Sequence, residues 1–512
     1  MSTTRLGLGP AARRVRLGVN VPAALNLVGL LLTYLSATVL VPTAVALGYS
    51  ESPWPFLGTG AITFVVGLAL ERATSSSGGA GIREGFLVVS LTWLLAATFG
   101  ALPYLLSGEN QLSSPVNAYF EAMSGFTTTG ASTLTDVEGL DQSLALWRQF
   151  TQWLGGMGII VLFLAILPRL RVGGRQLFES ELPGPEIEPL AASIRDTARR
   201  LWLLYIGLTA LQALILALFG WTNVDERMDA FEAIAHAFTT LPTGGFSTEA
   251  RSIEAFGAAS QWVIVIFMVV AGANFAVTYQ ALVRRNPRPL VRDEELRLYL
   301  ALLTAGSLVL IVELWSEGFF AGEEAIRHSV FQAVSSMTTT GFASADFNEW
   351  TLLAAVAIVA LMLAGGSAGS TAGSVKVVRH LLIGRILRRE LDQTVHPELV
   401  APIRLNRTIV DERTLRALLA FVLLYVGLFA LGTLALMIDA ARVNLDLRVF
   451  DAVAVSATTL GNVGPAFGFA GPMGSFEPFS DVSKGIMIVL MWLGRLEIIP
   501  VAVLATRSYW RA

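Results

Sequence analysis

Four times along its 512 residues the chain repeats one short pattern. Phe120-Glu121-Ala122 leads to Thr127-Thr128-Thr129-Gly130, and Phe231-Glu232-Ala233 leads to Thr243-Gly244-Gly245. Phe331-Gln332-Ala333 leads to Thr338-Thr339-Thr340-Gly341, and Phe450-Asp451-Ala452 leads to Thr458-Thr459-Leu460-Gly461, with Asn462-Val463 following. From Phe to the aligned Gly the spacings are 10, 14, 10 and 11 residues, so the second copy is longer by about one helical turn. Each copy lies between two long apolar runs and is itself too short to cross a bilayer, which takes about 20 residues. It must therefore enter the membrane and return on the same side. Irregular backbone at that depth is tolerated only where it is buried in protein or lines a watery cavity. Four such segments imply one shared central cavity, a pore.

The composition agrees: 54% of residues are hydrophobic and only 15% charged. Ten apolar segments are predicted to span: 21–47, 56–71, 85–106, 150–168, 200–220, 260–283, 297–315, 351–364, 414–438 and 485–505. The expected fold is an all-α polytopic membrane protein, with two leading helices and four helix–pore-helix–helix repeats in pseudo-fourfold arrangement around one pore. The expected divisions are 1–84 for the N-terminal segment and leading helices, then repeats at 85–175, 176–290, 291–395 (with a broken second helix) and 396–512. Arg5, Arg13, Arg14 and Arg16 precede the first span without an acid, and the segments 169–199, 284–296 and 376–413 are Arg-rich. Residues 107–146 carry five acids and no Lys or Arg. Basic loops mark the cytoplasmic side, so a cytoplasmic (inner) membrane location with both termini inside is expected. The first apolar run is too long for a cleavable leader.

The repeated residues suit a dehydrated cation. Rings of backbone carbonyls replace its hydration shell, and glycine adopts backbone conformations that other residues avoid. The threonines before it add hydroxyl oxygens. The acid or amide after each Phe is read as complementing the start of a short helix, with Asn117, Asp229, Ser329 and Asp446 as its caps. The negative ends of those helices then face the ion path. One Thr-Thr-Gly alone would signal close helix packing; four in the same context signal the pore.

These stretches resemble the Trk/Ktr/HKT superfamily of potassium transporters, and most closely its bacterial Trk branch. The likeness extends to Trp147-Arg148, to Gln152-Trp153-Leu154-Gly155-Gly156-Met157-Gly158, to 365–373 with Lys376, and to Trp492-Leu493-Gly494-Arg495-Leu496-Glu497. The resemblance implies selective K⁺ uptake, a homodimer, and a cytosolic nucleotide-binding regulatory ring as partner. It implies a K⁺ filter of Thr128, Thr129, Gly130, Thr243, Gly244, Gly245, Thr339, Thr340, Gly341, Leu460, Gly461, Asn462 and Val463. Some plant relatives carry Ser at the first filter glycine and pass Na⁺; Gly130 argues against that here.

Residues 365–374 are all Gly, Ser, Ala or Thr. Read as a gate, this stretch (Gly365, Gly366, Gly369, Ser370, Thr371, Gly373, with Lys376) interrupts its span as a loop beneath the filter; the plainer reading is tight helix packing. Arg495 falls inside the last span, where an intramembrane charge points to function. It is expected below the filter, opposing cations; Glu497, two residues on, does not face it on a helix. Arg148 and Trp153 are read as interface or packing residues. With no cysteine and no H-E-x-x-H, thiolate chemistry is excluded and the four histidines show no metal-ligand spacing. No nucleotide-binding glycine loop occurs, so no bound cofactor, enzymatic activity or nucleic-acid partner is expected, only membrane lipid, K⁺ and protein partners. The alternatives are coupling of K⁺ to Na⁺ or H⁺, and a transporter holding another small solute at a midplane site.

Overall fold

A computed structural model of the chain describes residues 18–74, 81–108, 111–166 and 194–511. The basic N-terminal arginines, most of the loop 169–199 and the division at 175/176 lie outside the described residues. Two leading helices, Val21–Thr38 with its continuation Leu40–Gly48, and Trp54–Ala73, precede the first repeat. Repeat 1 consists of Ile82–Gly100, the pore helix Pro115–Phe126 and a second helix Gln142–Ile166. Repeat 2 has Ile194–Trp221, pore helix Ala230–Thr240 and Ala258–Gly272. Repeat 3 has Glu294–Ser316, pore helix Gly322–Met337 and Leu352–Ala364. Repeat 4 has Glu412–Val443, pore helix Val449–Gly461 and Asp481–Arg495.

Six helices among the described residues are long and apolar enough to span alone. The second helices of repeats 2, 3 and 4 all break; the break in repeat 3 is as expected, whereas the segments 260–283 and 485–505 are expected to run unbroken and do not. Ala258–Gly272 gives way to Phe275–Leu282 at an angle of 113°, with the Asn274 side chain accepting from Ala276 N to cap the new helix. Leu352–Ala364 stops at Gly365, whose φ is +73°. Asp481–Arg495 stops before Glu497 and Ile498, left-handed at +56° and +62°.

The capping expectation holds for Asp229, whose carboxylate accepts from Glu232 N. It fails elsewhere. Asn117 and Ser329 lie within their pore helices, which begin at Pro115 and Gly322, and Asp446 precedes its helix by three residues, leaving Arg448 at the cap.

Besides an apolar core, the described residues include exposed apolar side chains on the outside and buried polar ones inside. Leu423, Val426, Leu431, Leu434 and Ile438 of the long Glu412–Val443 helix are exposed, as a lipid-facing surface requires. Thr127, Thr128, Thr129, Thr239, Thr240, Ser335, Ser336, Thr338, Thr339, Thr340, Thr458 and Thr459 are buried around the axis. The leading helices cross where Gly29 meets Gly67: a Cβ on Gly67 would lie 2.8 Å from Gly29 O, and one on Gly29 2.6 Å from Gly67 O. Small residues permit this approach of two backbones. Gly67→Val forces the pair apart at a cost of about 1–3 kcal/mol; a lower melting temperature in detergent with unchanged ion discrimination is expected, since the crossing lies outside the pore repeats.

Candidate functional site

The four pore helices end alike. Each is followed by a left-handed residue, Thr128 (φ +52°), Thr243 (+55°), Thr339 (+56°) and Asn462 (+54°). Two residues later stands a left-handed glycine: Gly130 (+82°), Gly245 (+75°), Gly341 (+84°) and Gly464 (+116°). Between them Thr129, Gly244, Thr340 and Val463 each donate N–H to the carbonyl five residues back, on Ser124, Thr239, Ser335 and Thr458, at 2.8–2.9 Å. Gly464 thus occupies the fourth equivalent position, correcting the alignment that put Gly461 there. Gly461 is the last helical residue and Leu460 precedes it in the same turn. From Phe to ring glycine the spacings become 10, 14, 10 and 14, so alternate repeats match.

The turns close on one another. A Cβ on Gly130 would fall 2.1 Å from Gly244 O, on Gly245 2.0 Å from Thr340 O, on Gly341 1.9 Å from Val463 O, and on Gly464 2.8 Å from Thr129 O. Each glycine therefore abuts a carbonyl of the next repeat, and the fourth abuts the first. Neither the left-handed backbone nor the space admits a side chain.

Behind the ring, polar side chains tether the limb that leaves each glycine. Nine residues before the glycine, Glu121 accepts from Ser132 Oγ (2.9 Å) and Thr133 N (3.1 Å), His236 Nε2 meets Ser247 Oγ (2.9 Å), and Gln332 Oε1 accepts from Ser344 N (3.3 Å). One turn earlier Glu232 accepts from Thr248 Oγ1, and His328 meets Ser344 Oγ (2.9 Å). Glu121 and Gln332 are mid-helix, so the reading of them as complements to the helix start is corrected; only Glu232 and Asp451 lie in a first turn. Arg148 lies at an interface between repeats. It donates Nε to Glu121 at 2.8 Å, Nη1 to Ser247 O at 3.2 Å, and lies 4.3 Å over the Phe246 ring, joining the limbs of repeats 1 and 2. Trp153 does pack, stacked between Phe150 and Tyr205.

Below the ring, 365–376 is a loop, not a packed helix. Thr371 Oγ1 donates to Leu241 O of repeat 2 (2.9 Å), and Gly373 N donates to Thr339 Oγ1 of repeat 3 (2.8 Å). A Cβ on Gly373 would sit 2.3 Å from Gly461 O of repeat 4. Ser367 N donates to Gly272 O and Gly369 O accepts from Phe275 N, so the loop rests on the break in repeat 2. Arg495 completes the floor: Nη1 donates to Thr371 O (2.9 Å) and Nη2 to Gly155 O of repeat 1 (3.2 Å). The loop with Arg495 thereby touches all four repeats.

A family model described as TrkH, cation transport protein, matches residues 55–511. The Trk system potassium uptake protein TrkH of Escherichia coli K12 is 36% identical over 500 residues, 96% of this chain and 99% of that protein. The protein of the same name from Halomonas elongata is 35% identical, covering 95% and 98%. The crystal structure of the potassium transporter TrkH from Vibrio parahaemolyticus superposes with a TM-score of 0.83 at 32% identity, covering 96% of this chain and 100% of that one. The chain belongs to the TrkH family.

In this TrkH-family chain a latch lies beside the floor. Glu497 pairs with Lys376 and Arg379, and Arg379 stacks 3.8 Å over Phe421. Lys376 heads the helix Val377–Val395, a poor place for a cation next to a positive helix end; the Glu497 carboxylate offsets it. Both partners are left-handed, Lys376 at φ +71° and Glu497 at +56°, a conformation costing about 1–3 kcal/mol per residue. On the opposite side of the ring from the loop 365–376, Ala250 N donates to Glu138 (3.1 Å), and partial burial together with the Glu138 charge raises the Glu249 carboxyl above the ordinary value.

The structure places Thr128, Thr129, Gly130, Thr243, Gly244, Gly245, Thr339, Thr340, Gly341, Asn462 and Val463 in the four turns of the ring. Reading the sequence does not single out Gly464 or His236, and it weighs Glu497 against Arg495 rather than against Lys376 and Arg379. Alignment on Gly464 would have exposed Glu121, His236 and Gln332 at one common offset. The register is testable by exchange: Gly464→Ala should collapse K⁺/Na⁺ discrimination in liposome flux. Gly461→Ala, whose Cβ finds its nearest atom at 3.3 Å in Val463 Cγ2, should leave it nearly intact.

Proposed function

We propose that this chain carries K⁺ selectively into the cell, with the four-turn ring as its selectivity filter. The observation that carries the reading is the closed circle of left-handed glycines, each against a carbonyl of the next repeat. Such a circle sets carbonyl oxygens around one axis, where they can replace a hydration shell. The pore helices end at the ring, so their partially negative C-termini favour a cation there. The Thr128 hydroxyl is buried without a hydrogen-bond partner in the protein, as suits an oxygen kept for an ion. The relatives' names, potassium uptake proteins of the Trk system, agree. Four turns of one geometry fit this better than a midplane solute site built from two inverted halves. Inward movement down the membrane potential gains about 2.3 kcal/mol per charge per 100 mV.

The loop 365–376 with Arg495 acts as the gate in this reading, because it bridges all four repeats under the ring. Both termini face the cytoplasm, the unit pairs as a homodimer, and a cytosolic nucleotide-binding subunit of the Trk type moves the gate from the side where Val377–Val395 lies.

Gly130→Ser tests the filter directly. Its Cβ would strike Gly244 O, so K⁺/Na⁺ discrimination should fall in a liposome flux assay with folded protein; unchanged discrimination rejects the filter. Arg495→Ala tests the gate. A cation about 6 Å from a passing K⁺ at an effective dielectric near 20 opposes it by about 3 kcal/mol, or roughly two orders of magnitude in rate. Flux should rise, less so for Arg495→Lys; a lower melting temperature with no gain in flux would make Arg495 a structural clamp.

A further inference from the structure

Repeat 2 omits a side chain that its three counterparts carry. Thr129, Thr340 and Val463 precede the ring glycine in repeats 1, 3 and 4, whereas repeat 2 has Gly244. In repeats 1 and 3 that threonine hydroxyl pairs with Thr127 or Thr338 at 2.8 Å; repeat 2 has Pro242 at the matching place. Backbone conformation does not explain Gly244, which is absent from the left-handed glycines. Space explains it. A Cβ there would fall 2.4 Å from Cδ and Oε1 of Gln152.

Gln152 is fully buried and comes from the second helix of repeat 1. Its Nε2 donates to Gly244 O at 2.7 Å and its Oε1 accepts from Phe246 N at 3.1 Å. The two bonds straddle Gly245, so one amide fixes the backbone on both sides of a ring glycine. Gly244 O is also the carbonyl against which Gly130 packs. A carbonyl oxygen has two lone pairs, and one held by an amide leaves the other for an ion.

We infer that Gln152 is a positioning residue that determines selectivity, supplied by repeat 1 in place of the side chain that repeat 2 lacks. It orients the Gly244 carbonyl and so sets one quadrant of the ring. The inference rests on the reading of the ring as the filter. It separates Gln152 from a mere packing residue, because an isosteric change that removes only the donor should be felt in ion discrimination.

The experiment compares K⁺ and Na⁺ flux in liposomes, with melting temperatures, for the full chain and its variants. Gln152→Glu keeps the shape but turns the Nε2 donor into an acceptor facing Gly244 O. Discrimination should fall about three- to tenfold, the scale of one hydrogen bond, with Gln152→Ala behaving likewise. Gly244→Val displaces the amide and should also lower it. Parental discrimination in Gln152→Glu overturns the inference. If Gly130→Ser lowers discrimination while the Gln152 variants do not, this inference fails and the filter reading stands; if Gly130→Ser has no effect, the filter reading fails first.

Discussion

The contact on which this structure turns is a glycine α-carbon pressed against the carbonyl of the neighbouring repeat. It recurs four times and closes a circle, and each instance leaves no room for a Cβ. A left-handed turn can present its carbonyls this way only if the preceding helix stops cleanly, which the recurring N–H bond to the carbonyl five residues back achieves. The surrounding helices must then approach as closely as the ring demands. Gly155 therefore faces Phe126 O and Gly494 faces Leu460 O, where a Cβ would come within 1.9 and 2.0 Å. These two carbonyls lie four residues before Gly130 and Gly464, so the same approach is made from both sides.

Such a ring needs a polar surround in an apolar solvent. Hydroxyls, amides and imidazoles take up the backbone of the exit limbs, and one buried ion pair, Glu121 with Arg148, is satisfied by further bonds to Ser132, Thr133 and Ser247. A buried pair is tolerable only with that many partners. The second such cluster, Glu497 with Lys376 and Arg379, stands beside the floor, where three of the four second helices have already broken. Breaks and charges coincide because freed backbone groups and ionic groups need the same thing, a site shielded from lipid.

The helices, the fourfold plan, the interrupted span at Gly365 and the placement of Arg495 below the ring could be read from residue types and spacing. They depend on local composition, apolar length and the conformational habits of glycine. The fourth turn misled because Thr458-Thr459-Leu460-Gly461 imitates Thr127-Thr128-Thr129-Gly130, while the helix continues to Gly461 and places Asn462 and Gly464 in the turn. No spacing rule shows where a helix will stop. Nor does spacing reveal partners set by tertiary packing: Gln152 and Gly244 are 92 residues apart, and Lys376 and Glu497 are 121. The roles given to Asn117 and Ser329 failed for the related reason that their helices begin earlier than the pattern suggested.

The four turns share a backbone but not a sequence: Thr-Thr-Gly, Thr-Gly-Gly, Thr-Thr-Gly and Asn-Val-Gly. A pore assembled from four identical chains can change its ring only in all quadrants at once. Here one codon alters one quadrant, while the other three hold the circle closed. The single-chain arrangement therefore lets evolution adjust the ring in quarter steps, and the alternation of 10- and 14-residue spacings is what a tandem doubling of an already doubled unit would leave behind.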